Sequence, residues 1–314
     1  MTQATVAAQA AELAPELVEM ARRWKEAGVP DLYEGASGPS GGPVSRERAR
    51  NIRAFLYPKP VLPTGRIDHK TIDGPHGPIP LRIVWPHSAT GEATASATMV
   101  YFHGGGWVLG DLDSHEAHAV RIANRTSAVV VNVDYRLAPE CEFPQAIDDA
   151  FAATQWAFAH RSELGGANAP VAVGGDSAGG NLAAAAAVLC RDAGLKLAVQ
   201  LLIYPAVLLA GKPGPERIYL GADADKKGLD PRASPLLTPS LAGLAPAIIG
   251  VGPYDFLYKD NLAYAAKLRE AGVEVILREF PTLNHGFFSF TAVSKDSETA
   301  SNLLCSDLKS VLGR

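Results

Sequence analysis

From residue 67 onward, short apolar runs rich in Val, Ile and Leu alternate with longer segments of helical spacing. No other feature narrows the fold as much. The runs fall at residues 81–85, 98–102, 128–133, 171–173, 198–203, 247–251 and 275–280. Helical patterns at 114–124, 144–160, 178–193 and 262–271 lie among them. A continuous apolar run suits a strand covered on both faces, which requires helices above and below a parallel sheet. The expected architecture is therefore an open α/β sheet, mostly parallel, with helices on both sides.

Two regions fall outside this alternation. Residues 7–27 read as an amphipathic helix, with Leu13, Leu17, Met20 and Trp24 recurring at spacings of three and four. A Gly/Ser/Pro-rich stretch at 35–43 and a second helical pattern at 46–57 follow. This N-terminal portion, residues 1–60, has no strand signal and is expected to sit on the main domain, 61–314, as an appendage. The second region, about 205–240, is rich in Pro and Gly (Pro213, Pro215, Pro231, Pro235, Pro239) and nearly aperiodic. A long insertion of that kind inside a domain reads as a lid or binding loop, packed beside the N-terminal helices over the strand ends.

Composition removes several classes of function. With 29 Lys+Arg against 33 Asp+Glu the formal charge is −4, and the chain has no polybasic stripe for nucleic acid. No apolar run reaches the ~18 residues of a membrane span. The N-terminus lacks the basic start and unbroken apolar core of a secretory signal, because Glu12, Glu16 and Glu19 interrupt it. Cys141, Cys190 and Cys305 are too scattered for a disulfide framework or a zinc site. The cytoplasm is the default location, and no residue pattern specifies an oligomer, although homodimers are common among soluble enzymes.

The sharpest motif is Gly175-Asp176-Ser177-Ala178-Gly179, a G-x-S-x-G between the run at 171–173 and a strong helix former. Residues flanking the serine in so tight a strand-to-helix turn need almost no side chain, hence Gly175, Gly179 and Gly180. The turn presents the Ser177 hydroxyl beside the first N–H groups of the new helix, a position that favours negative charge. Phosphate-loop readings fail: Gly180-Asn181 stands where a Walker loop needs Lys-Ser/Thr, and Leu109 where a dinucleotide fingerprint needs glycine. The second motif, His103-Gly104-Gly105-Gly106-Trp107, directly follows the run at 98–102. Three glycines let the backbone approach a ligand closely. Two amides from Gly104, Gly105 and Gly106, with that of Ala178, make a nest for a tetrahedral oxyanion.

A serine hydroxyl needs a base. Of eight histidines, His285 lies after the run at 275–280, near the C-terminus. His69, His76, His87 and His160 read as surface or packing residues. His115 and His118 are three apart, not the four of a zinc-protease helix, and with Asp111 and Asp113 nearby a metal site is the lesser reading. The larger one is a helix start with Ser114 as N-cap. The third member is a carboxylate to orient His285. Asp255 follows the run at 247–251 in a turn and is preferred; Asp260, expected in the next helix, is the reserve, and Asp223, Asp225 and Asp230 lie in the insertion. Serine, acid and histidine then follow one another in the α/β-hydrolase order.

Together the residues 103–107, Tyr135-Arg136-Leu137-Ala138-Pro139-Glu140, the residues 175–180 and the His285 turn resemble the hormone-sensitive-lipase-like esterases of the α/β-hydrolase superfamily. The resemblance runs from about residue 67 to the C-terminus. It implies an α/β-hydrolase fold with a helical cap built from the N-terminal helices and the insertion. It also implies hydrolysis of short- to medium-chain carboxylic esters through an acyl-enzyme, with a small-molecule ester as partner and no metal or organic cofactor. One departure stands out. The family's Asp-Pro-Leu-x-Asp-Glu pattern reads here Asp255-Phe256-Leu257-Tyr258-Lys259-Asp260. Two other readings stay open: an amidase or peptidase on the same scaffold, and a non-catalytic binding protein, against which the retained triad candidates argue. Trp107, Tyr204, Phe256 and Phe287 lie near the motifs as pocket or core residues.

Overall fold

The computed structural model describes residues 11–26, 60–87 and 95–313. Its eight strands are β1 (Ile67–Ile72), β2 (Ile79–Val84), β3 (Ala97–Phe102), β4 (Ala128–Val133), β5 (Val171–Asp176), β6 (Gln200–Ile203), β7 (Ala247–Val251) and β8 (Val275–Glu279). They form one sheet in the order β1-β2-β4-β3-β5-β6-β7-β8, with β1 and β2 antiparallel to their neighbours and the rest parallel. The helices are α1 (Pro15–Glu26), α2 (Glu116–Thr126), α3 (Gln145–Ala159), α4 (Ala178–Asp192), α5 (Pro215–Leu220), α6 (Ala224–Lys227), α7 (Tyr258–Glu270) and α8 (Lys295–Leu312). All the strands expected from apolar runs are present.

Alternate residues of the central strands point to opposite faces, so each face gathers its own core. Val100 and Phe102 of β3 join Ile147 of α3, Leu182 of α4 and Leu268 of α7 on one side. Met99 and Tyr101 join Leu17 of α1, Ile122 of α2 and Leu304 of α8 on the other. This is the doubly covered sheet that β-branched runs such as Val129-Val130-Val131 demand.

Two elements depart from the expectation. β1 alternates weakly, and Asp68, His69 and Lys70 leave it half polar, which suits the edge of a sheet. α8 was not anticipated, although Ala300, Leu304, Leu308 and Val311 repeat at helical spacing and Ser294 accepts a hydrogen bond from the Ser297 amide as N-cap. The N-terminal helix begins at Pro15, and it docks on the loop after β8. The Ala14 amide donates to Thr282 O at 2.9 Å, and Trp24 meets Phe290 edge-on at 6.2 Å. The helical pattern at 46–57 and the Gly/Ser/Pro-rich stretch at 35–43 lie outside the described residues. The insertion is less irregular than expected, since it holds α5, α6 and a 3₁₀ turn at Pro235–Leu237. Its base is pinned to the domain: Asn181 Nδ2 donates to Ala206 O and Ala233 O, and Asn261 Nδ2 to Pro205 O, all within 2.9 Å.

Every strand that precedes a candidate site residue runs parallel, so β3, β5, β7 and β8 deliver their loops to one edge of the sheet. Leu304 lies so close to β7 that a Cβ on residue 250 would meet its Cδ1 at 2.7 Å. Replacing Leu304 by Ala should therefore open a cavity and cost roughly 2–5 kcal/mol. Urea unfolding at unchanged slope measures this, and Lys70→Ala on the exposed edge should change stability by less than about 0.5 kcal/mol.

Candidate active site

The chain leaves β5 through a turn in which Ser177 takes φ 54° and ψ −115° before α4 begins at Ala178. This is possible because of the glycines. A Cβ on Gly179 would sit 1.9 Å from Phe102 O, and one on Gly175 would sit 2.4 Å from Gly179 C. The strained conformation, worth about 1–3 kcal/mol, lifts the hydroxyl clear of the sheet.

Ser177 Oγ lies 2.9 Å from His285 Nε2, and His285 Nδ1 lies 2.8 Å from Asp255 Oδ2. The carboxylate is buried, and its other oxygen accepts the Leu257 amide at 2.8 Å. Because an ionised carboxylate only accepts, the imidazole carries its proton on Nδ1 and turns Nε2 toward the serine as an acceptor. Asp260, the reserve, lies in the first turn of α7 and accepts from Lys212 Nζ at 2.7 Å. In the insertion, Asp225 pairs with Arg217, Asp230 pairs with Arg232, and Asp223 stands at the N-cap position of α6 without a side-chain cap bond. Of the carboxylates weighed, Asp255 is the one against His285.

The imidazole is flanked by two aromatic rings. Tyr204, fully buried, lies 4.8 Å away, and Phe256 lies 4.6 Å away while 72% exposed. The departure from the family's proline thus places an open aromatic face at the mouth of the site. Trp107 and Phe287 are buried and pack in the core.

The glycine loop is fixed from below. Gly105 and Gly106 have φ of 131° and 62°, and a Cβ on Gly105 would meet Leu109 O at 2.1 Å. The stretch after β4 braces the loop: the Ala138 amide donates to Trp107 O at 2.8 Å, and Tyr135 Oη donates to His103 O at 2.7 Å while its ring stacks on His103 at 4.3 Å. The Gly104 amide donates to Asp176 Oδ1 at 3.0 Å. That corrects its expected place among the oxyanion donors: its N–H is committed to a carboxylate. Among the described residues, the amides of Gly105, Gly106 and Ala178 have no such acceptor.

The serine motif assigns Asp176 no role of its own. In the structure it is buried, and its Oδ1 also accepts from Tyr101 Oη at 2.8 Å. His115 Nε2 stands 3.6 Å from its Oδ2 and His118 Nδ1 stands 3.8 Å from its Oδ1. Burial alone would push the Asp176 carboxyl up, but the two histidines outweigh it and hold it well below the ordinary carboxylate value. The possible ligand atoms of these three residues fall within 4.8 Å of one another. The partner acid of the histidines is therefore Asp176. Asp113 instead pairs with Arg82 at the surface, and Asp111 Oδ1 accepts the Ser114 amide. Ser114 is not the N-cap of α2, a place taken by His115, because its hydroxyl bonds back to Asp111 O.

A profile of the alpha/beta hydrolase fold family matches residues 99–218 and 213–289. The carboxylic ester hydrolase LipN of Mycobacterium tuberculosis is 39% identical over 78% of this chain and 70% of its own length. The carboxylesterase NlhH of the same organism is 39% identical over 80% of this chain and 83% of its own. Among solved structures, a Pyrobaculum calidifontis esterase superposes with a TM-score of 0.77 at 33% identity, covering 95% of this chain and 98% of its own. The chain belongs to the α/β-hydrolase family, in its hormone-sensitive-lipase-like branch.

Asp176 ties the glycine loop to the residue next to the serine, so its charge positions both. Asp176→Asn keeps the shape and removes the charge, and kcat on a short ester should fall by about 10²-fold from loop misplacement. KM should change much less, which steady-state kinetics will read directly.

Proposed function

We propose that this chain is a serine carboxylesterase acting on short- to medium-chain carboxylic esters. The observation that carries the reading is the line from Ser177 Oγ through His285 to the buried Asp255, with contacts of 2.9 and 2.8 Å. The relatives' names support ester hydrolysis as the reaction.

Ser177 attacks the ester carbonyl as His285 Nε2 takes its proton, and Asp255 stabilises the imidazolium that forms. Negative charge on the tetrahedral oxygen falls to the amides of Gly105, Gly106 and Ala178, the last at the positive start of α4. His285 then gives its proton to the departing alcohol. Water repeats the sequence on the acyl-enzyme and regenerates the serine. No step draws on a metal or organic cofactor. The insertion, with α1, forms the cap of the proposed pocket. The three free thiols fit a reducing compartment, and we place the enzyme in the cytoplasm.

Release of p-nitrophenol from its butyrate ester tests the reading. Ser177→Ala should lower kcat by about 10⁶-fold, the scale of losing a catalytic serine. Activity within tenfold of the parent would overturn the mechanism.

A further inference from the structure

The insertion carries a buried acid that the triad chemistry does not use. Glu216, in α5, is 7% exposed, and its Oε2 has no hydrogen-bond partner. A buried oxygen of this kind calls for a partner, such as a water, an ion or a ligand. Burial pushes its carboxyl above the ordinary value, and the charges that oppose this shift are those of Lys212 and of the catalytic candidate His285. Lys212 is already engaged with Asp260. Glu216 therefore lies within the electrostatic reach of the imidazole, with its own backbone amide bonded to the carboxyl and Oε2 left unpaired.

The helix that carries it is held firmly. Tyr219, three residues along α5, stacks on Trp107 of the glycine loop at 4.7 Å with ring planes 5° apart. The Phe143 amide donates to Tyr219 O at 2.7 Å, and Lys227 Nζ donates to Leu220 O at 2.7 Å. A dehydrated and unpaired acceptor on a helix clamped against the glycine loop is suited to read a polar group on the substrate.

Resting on the esterase reading, we propose that Glu216 is a specificity-determining residue that hydrogen-bonds a hydroxyl carried by the ester, in its acyl or its alcohol portion. A hydroxyl donates to the free oxygen, whereas a plain alkyl chain leaves it unpaired. Sites built around such a bond discriminate strongly against the analogue that lacks it.

The test compares ethyl butyrate with ethyl 3-hydroxybutyrate and with 2-hydroxyethyl butyrate, followed by acid release at constant pH. In the parent enzyme kcat/KM for one of the hydroxylated esters should exceed that for ethyl butyrate by about tenfold or more, the scale of a hydrogen bond to a charged group. Glu216→Leu should bring that ratio close to one, and Glu216→Gln, whose amide oxygen still accepts, should keep most of it. Glu216→Met is measured in parallel in case the branched side chain disturbs folding. Removing the unpaired carboxyl should also raise Tm by roughly 2–4 °C. A parent enzyme without preference for either hydroxylated ester, as when a buried water alone satisfies Oε2, would overturn the assignment. So would a preference that survives in the Leu and Met variants. Ser177→Ala must abolish turnover of all three esters; if it does not, the esterase reading fails, not the assignment of Glu216.

Discussion

Between β5 and α4 the backbone is forced through a turn that an L-residue keeps only when its surroundings over-determine it. Three contacts do so at Ser177: its amide donates to Ile203 O at 2.9 Å, and its carbonyl accepts from Asn181 at 3.0 Å and Ala206 at 3.2 Å. The end of β3 presses on the turn at Gly175 and Gly179, where no side chain fits. Strain of about 1–3 kcal/mol is spread over a sheet buried on both faces, which can hold it without moving. The serine, the start of α4 and the glycine loop after β3 are thereby brought to one place.

A second constraint is electrostatic. An ionised carboxylate buried behind Ser177 is tolerable only if it is fully engaged. Asp176 meets that condition with the Gly104 amide, the Tyr101 hydroxyl and the two histidines of the 115–118 segment. The same bonds that satisfy the charge fix the first glycine of the loop. Stability and loop geometry are therefore one arrangement, and Tyr135 and Ala138 complete it from the stretch after β4.

Legibility in the sequence followed how local the physical signal was. Strands covered on both faces announced themselves, and β4 and β7 begin and end where their apolar runs do. The strand–turn–helix around Ser177 was equally readable, because steric exclusion leaves glycine as a local mark. Asp255 and His285 could be placed by their loops after strands, and the structure brings both to Ser177. β1 was hidden by its polar residues, since an edge strand needs few apolar ones. The work of Asp176 was hidden because its partners lie 61, 58 and 72 or more residues away in the chain, at His115, His118 and Gly104, and nothing in G-x-S-x-G marks the x as charged and buried. Glu216 was hidden for a similar reason: on its own, a glutamate in a Pro/Gly-rich insertion reads as solvated surface. Ser114 illustrates the opposite error, a residue type that favours helix caps but found a closer partner in Asp111.

In the mechanism proposed, the strained turn makes Ser177, through His285, the one nucleophile among many hydroxyls. Labelling with an aryl alkylphosphonate, followed by peptide mass mapping, addresses it most directly. A single adduct is expected on Ser177, forming rapidly in the parent enzyme and nearly lost in His285→Ala. An adduct on another residue, or labelling of Ser177 at an unchanged rate without the imidazole, would contradict it.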